Sequence, residues 1–288
     1  MSSLLIITGI ASGILYGLMA LAFTFLFRTA GIPNLAIGAM GTFVALLALK
    51  IYAPIGLPYW AGVLIAMLLG MAMGAASELL VFRRLRGADP LVFLVATIGL
   101  NLLLFGVAQY LWAANEPYRF PGAYSPSGTV IVDGLSPQAV AIFIATAVVL
   151  GLLSALLYRS QMGREIRAVA EDPAAAHAIG LSVARAHLIV WMLAAAIIGL
   201  AAILFAPLLL LDTSVLSLVM YKAMGAAVLG GLGSLVGAVV GGLLLGLIEN
   251  LVVPFAPSAR DAAAFVVIVL VLLLRPQGLF GRTQIKKI

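Results

Sequence analysis

Apolar runs long enough to cross a bilayer recur along this sequence from end to end. A crossing needs about 20 mostly apolar residues. The candidates are 4–27, 34–50, 59–82, 91–112, 138–157, 188–211, 215–231, 235–253 and 261–275. In hydrocarbon each run must pair its own backbone N–H and C=O groups, which a helix does. Gly, Pro and charged residues punctuate the runs at 28–33, 54–58, 83–90 and 115–137. The expected fold is all-α, a polytopic transmembrane helical bundle of about nine crossings (eight to ten). It forms one domain over residues 1–288. The chain is 64% hydrophobic and 9% charged, and its mean hydropathy is +1.23. A soluble domain would carry far more charge. The first run lacks a basic leading segment, exceeds a signal-peptide core and is followed by Arg28, so it reads as a retained span.

Basic residues set the expected orientation. Arg28, the cluster Arg83, Arg84 and Arg86, the cluster Arg159, Arg164, Arg167 and Arg185, and the cluster Arg275, Arg282, Lys286 and Lys287 together supply twelve of sixteen Lys and Arg residues. The other connections hold only Lys50, Arg119 and Arg260. Positive residues stay cytoplasmic. All twelve share one side when the number of crossings is odd, with the N-terminus outside and the C-terminus in the cytoplasm. Residues 215–253 fit either two thin crossings or a re-entrant pair of half-helices. Gly233, Gly237 and Gly241 recur every four residues there, as do Gly242 and Gly246. Small residues at that spacing let helix backbones approach closely, so these glycines read as packing. The net charge of +6 sits at span ends and is no footprint of nucleic-acid binding. Without cysteine there are no disulfides or thiolate metal sites. No metal or cofactor is expected.

One polar island, residues 159–187, interrupts the apolar pattern and carries both histidines. It must stand in water. Ile166, Val169 and Ala170 form a weak apolar stripe on a first short helix, with Arg164, Glu165, Arg167 and Glu171 on its other faces. A second short helix is punctuated at both ends. Asp172 caps its start, Pro173 takes the first helical position and Gly180 closes it. The stripe lacks the Trp, Phe or Leu that anchors a helix in lipid. Small side chains such as Ala175 suit a protein groove. Residues 158–187 therefore read as a cytoplasmic coupling segment.

Four stretches carry a family resemblance. GREIRAVAEDPAAAHAIGL (163–181), LLLRPQGLFG (272–281), YKAMGAAVLGGLGSLVGAVVGGLLLGLIE (221–249) and LRGADPLVFLVATIGL (85–100) resemble motifs of branched-chain amino-acid ABC transporter permeases. The resemblance implies two permease subunits, often different homologues, two cytoplasmic ATPase subunits and an extracytoplasmic solute-binding protein. It also implies a multi-pass protein of a bacterial or archaeal inner membrane. At the start of its second span the family carries Asn, an aromatic residue, Ala, His and Gly. Here Asn34, Leu35, Ala36, Ile37 and Gly38 stand in those places. The missing aromatic and His bear on substrate identity, because related permeases move other small polar solutes.

Polar groups inside apolar runs are costly and mark candidate pathway residues. Asn34 follows the Pro33 break, Asn101 sits within the fourth run and Lys222 near the start of the seventh. Asn34, Gly38, Asn101 and Lys222 are the substrate-pathway candidates. Glu78 and Glu249 lie close enough to span ends to reach water. No G-x-x-x-x-G-K-[ST] motif is present to cradle ATP phosphates, so the chain is read as a transport subunit and not an enzyme. The alternative is an ion-coupled secondary transporter, which needs titratable groups near the bilayer midplane. The run centres hold no Asp, Glu or His. A membrane enzyme is disfavoured, since His177 and His187 lack ligand spacing and read as surface residues.

Overall fold

The computed structural model describes residues 2–112, 136–208, 212–213 and 215–281. The connection 113–135, with Arg119, and the basic residues Arg282, Lys286 and Lys287 lie outside them. The described residues form helices and turns, with no strand among them. The helices are α1 (Ser2–Ala30), α2 (Ile37–Tyr52), α3 (Tyr59–Leu80), α4 (Pro90–Trp112), α5 (Pro137–Arg159), α6 (Gln161–Glu171), α7 (Pro173–Ala178), α8 (Val183–Phe205), α9 (Val215–Gly230), α10 (Leu235–Val252) and α11 (Arg260–Leu274). Seven helical segments have the length and hydropathy to cross a membrane; α2 and α9, at 16 residues each, are shorter apolar helices.

Local chemistry sets most helix starts. The Ser136 hydroxyl accepts from the Ala139 N–H (3.2 Å), Ser160 from Gly163 (2.9 Å), Ser182 from Arg185 (3.3 Å) and Ser234 from Gly237 (3.0 Å). Each satisfies a first-turn amide, a contribution of about 1 kcal/mol. The Ser182 cap corrects one boundary. The run expected to begin at 188 is already helical from Val183, so the non-spanning part of the island shrinks to 160–182. Polar residues in that first turn hid the helix from an apolar count.

Glycine brings the backbones together. On α1, Gly9, Gly13 and Gly17 repeat every four residues and face Gly242 and Gly246 of α10. A Cβ on Gly242 or Gly246 would come within 3.0 Å of α1 backbone atoms. α3 meets α8 in the same way, with Gly70 and Gly74 against the Ala195 and Trp191 carbonyls and Gly199 against Ala66. Gly241 lies on Ala226, and Gly230 and Gly237 lie on each other, closing the α9–α10 hairpin. Gly233 instead serves a turn, at φ +99° with open space around it. Trp191, 1% exposed, stacks on Phe82 at 4.4 Å, and Phe82 meets Phe93 at 4.8 Å. These rings tie the turn after α3 to α4 and α8.

The tail motif has a structural use. Leu279 and Phe280 N–H groups donate to the Leu229 and Gly230 carbonyls (2.9 and 3.0 Å), the last two of α9. Gly278, at φ +76°, lets the tail lie against Gly231. The end of α9 is thereby capped by residues some fifty positions away in sequence.

Overpacking a dense core costs about 1–3 kcal/mol, and here rigid backbone leaves nowhere to relax. Gly246→Leu should sharply lower the yield of monodisperse protein and its thermal midpoint. Gly106→Leu should change neither, because a Cβ at Gly106 meets nothing within 4 Å. Size-exclusion profiles of both variants in detergent check this.

Candidate functional site

The island is built as a corner followed by a finger. Ser160 starts α6, and Gly163 lets it fold back on α5, since a Cβ there would strike the Leu156 and Leu157 carbonyls. The Arg167 guanidinium donates to the Leu157 carbonyl and lies 5.2 Å from the centre of the Tyr158 ring. Ile166 and Val169 are buried, at 2% and 0% exposure. The α6 stripe therefore faces the bundle, and the charged residues Arg164 and Glu171 are left on the outer side of the helix.

The most continuously exposed part is α7. Asp172 Oδ1 accepts from the Ala174 and Ala175 N–H groups, both at 2.9 Å, with Pro173 at the first position. At the other end Gly180 N–H reaches the His177 carbonyl and Leu181 N–H the Ala176 carbonyl, both at 3.0 Å. Gly180 holds φ +85°, the left-handed closure that glycine favours. Ala176 is buried against the bundle; Ala174, Ala175, His177, Ala178 and Ile179 are exposed. Ile179 is 76% exposed, an apolar tip that sequence reading passed over. Arg164, Glu171, Asp172 and Gly180 are exposed, while Glu165 and Arg167 are half-buried. His187 is half-buried in the second turn of α8, so only His177 is a surface histidine.

Several basic residues gather at the island end. Arg28 and Arg167 line one cleft. Arg86 reaches both Glu78 and the Ala184 carbonyl, the latter at 3.5 Å. Arg275 begins the tail that lies on the end of α9.

The pathway candidates do not converge by hydrogen bonding. Asn34 is 1% exposed; its Oδ1 accepts from the Ala36 N–H at 2.9 Å, and its Nδ2 has no partner. Gly38 leans on α9, where a Cβ would lie 2.9 Å from the Leu216 carbonyl oxygen. Asn101 is half-buried on α4 beside exposed Leu102 and Leu103. Lys222 is 6% exposed in a charged cluster. Its Nζ lies 2.9 Å from Glu249 Oε1 and 2.7 Å from Asp261 Oδ1, and the Tyr16 hydroxyl donates to Glu249 Oε2 at 2.9 Å. Arg260 Nε lies 3.6 Å from the same Oε2. Lys222 thus does not reach outward to water.

Glu249 and Glu78, at 0% and 1% exposure, do not reach water either. Each is held inside by a cation from another segment, Lys222 and Arg86. Tyr16 and Asp261 were not singled out from sequence, and Arg86 was read only as one of the basic residues that set orientation. The one signal was the Arg260–Asp261 pair opening an otherwise apolar run.

Removing one partner of a buried ion pair costs about 3–5 kcal/mol because the other charge is stranded. Lys222→Met should therefore lower thermal stability markedly. Adding Glu249→Met should recover part of the loss, so the two effects fall short of additive. Thermal unfolding of the single and double variants in detergent measures the coupling; full additivity would mean the pair is not energetically joined.

Comparison with known proteins extends this geometry. The sequence profile of the family described as branched-chain amino acid transport system / permease component matches residues 5–274. The chain is 31% identical over 301 residues to the high-affinity branched-chain amino acid transport system permease protein BraD of Pseudomonas aeruginosa, covering 98% of this chain and 97% of that one. It is 28% identical over 295 residues to the corresponding protein LivH of Escherichia coli, covering 97% and 96%. The fructose import permease protein FruF of Bifidobacterium longum is more distant, 23% identical with 93% and 76% covered. Matched along nearly its whole length and folded into seven membrane-length apolar helices, this chain is a multi-pass membrane protein of the branched-chain amino-acid ABC transporter permease family.

Proposed function

We propose that the chain is the membrane-spanning subunit of an ATP-driven importer. It moves branched-chain amino acids, or a similar small polar solute, delivered by an extracytoplasmic binding protein. Two ATPase subunits and a second permease, a homologue of this chain, complete the assembly. The observation that carries this reading is α7, a rigidly capped small-residue helix left exposed with Ile179 at its tip. Caps at both ends let so short a helix hold its shape and pass a push from a partner to α6 and α8. Ala175, Glu171, Arg164 and Gly180 lie on the surface that an ATPase groove would grip. Asn34 is the leading pathway residue, being buried with an unpartnered amide. Gly38 holds the adjoining turn against α9, and Asn101 and Lys222 are lesser candidates. The ion-coupled alternative loses ground because Glu78, Glu249 and Asp261 are already paired with cations.

Reconstitution in vesicles with the partner subunits tests the proposal. Uptake should require ATP and survive collapse of ion gradients; uptake by this chain alone on a proton or sodium gradient would sink it. Ala175→Glu places a charge on the docking face. An unpaired buried charge costs several kcal/mol, so ATPase association should weaken at least about tenfold. Asn34→Leu should leave association intact and impair uptake. Wild-type behaviour of either variant removes that residue from its assigned role.

The orientation we propose has nine crossings, an outside N-terminus and a cytoplasmic island and tail. It follows from the basic residues gathered at the island end. In this cysteine-free chain, Ser258→Cys should react with an impermeant thiol reagent in whole cells, and Ala174→Cys should not. The reverse pattern would invert the orientation.

A further inference from the structure

Two cavities adjoin where α1, α5, α6 and α10 meet. The larger, about 400 Å³, lies within the size range of small-molecule sites, roughly 300–1,000 Å³. Leu21, Leu150, Leu153, Val236 and Val239 are among the residues that line it. The Ser154 hydroxyl on its wall is already turned to the Gly151 carbonyl at 2.9 Å, so the lining is effectively apolar. The smaller, about 10 Å³, has room for about one water. It is lined by Arg28, Thr29, Arg167 and neighbours. Leu157, Tyr158 and Leu235 line both, so the apolar space runs directly to the arginines.

The charge at that end is unanswered. No Asp or Glu lines either cavity. The Arg28 guanidinium is half-buried in the last turn of α1 and has no hydrogen bond or ion pair among the described residues. Arg167 is held in place by the Leu157 carbonyl and the Tyr158 ring, leaving further N–H donors of its five. A cation at the edge of the hydrocarbon calls for a counter-charge. A free anion would answer the arginines and leave the apolar cavity empty. An apolar chain would do the opposite. One molecule answers both if it carries a phosphate and a hydrocarbon tail.

We propose that this junction binds one anionic phospholipid from the leaflet on the island side. One acyl chain fills the apolar cavity, and the phosphate rests on the rim of the small cleft against Arg28 and Arg167. Basic pockets between membrane helices suit such headgroups. The lipid would brace α1 and α10 against α5 and α6, the corner from which α7 projects.

The test uses the full chain in detergent, with native mass spectrometry counting bound lipid. Phosphatidylglycerol and phosphatidylcholine with identical acyl chains are the probes. The wild type should retain one phosphatidylglycerol per chain under conditions that strip phosphatidylcholine. Arg28→Gln should lose it and Arg28→Lys should keep it. Gly151→Phe should lose it with both arginines intact. A Cβ at Gly151 meets nothing within 4 Å, so the ring can enter the cavity without displacing the helix. Equal retention of the two lipids, or retention by Arg28→Gln or Gly151→Phe, overturns the proposal. So does displacement of the lipid by glycerol phosphate alone. A change in oligomeric state with lipid unaffected would give the groove to a second permease instead.

Discussion

Two helices in lipid gain nothing by hiding apolar side chains from each other, because the surrounding tails are equally apolar. What holds them is close van der Waals contact, and close contact needs side chains that are barely there. The α1–α10 and α3–α8 pairs meet this need through glycine set against backbone. Everything else is positioned by these two seams. The α9–α10 hairpin hangs from the first, the α6–α7 projection enters α8 and so hangs from the second, and the charged cluster sits where α1, α9, α10 and α11 adjoin.

The polar groups inside the bundle follow from the same solvent. A buried charge there survives by finding its opposite on another helix. Lys222 of α9 meets Glu249 of α10 and Asp261 of α11, with the Tyr16 hydroxyl completing the carboxylate. Arg86 does the same for Glu78 near the island end. The Lys222 pairs join α9 to α10 and α11 and give those helices a specific register that apolar packing alone would leave loose, while Arg86 ties the turn after α3 back to the end of that helix. Asn34 differs, with one end of its amide committed to the α2 turn and the other unengaged. That separates a candidate for solute contact from groups whose demands are already met.

The island illustrates how much local chemistry reveals and where it stops. Asp172, Pro173 and Gly180 spell out a capped helix, and the hydrogen bonds form as those residue types require. Which face of the two-helix segment is free could not be read the same way. The apolar stripe of α6 is spent on the bundle, and the free surface belongs to Ala174, Ala175 and Ala178 of α7 and to Ile179, beside the exposed Arg164 and Glu171 of α6.

The sequence by itself determined that the chain is helical and membrane-embedded, roughly where each helix lies, how α7 is capped and which family it resembles. These properties are local: hydropathy over about twenty residues, a cap within three positions, a glycine every four. Tertiary structure decided who meets whom. Gly9, Gly13 and Gly17 became meaningful only opposite Gly242 and Gly246. Glu249, expected near water, proved to be wholly enclosed by partners from three other helices. The tail motif turned out to cap α9. Such pairings depend on how helices far apart in the chain are brought side by side, and no window along a single strand of sequence contains that.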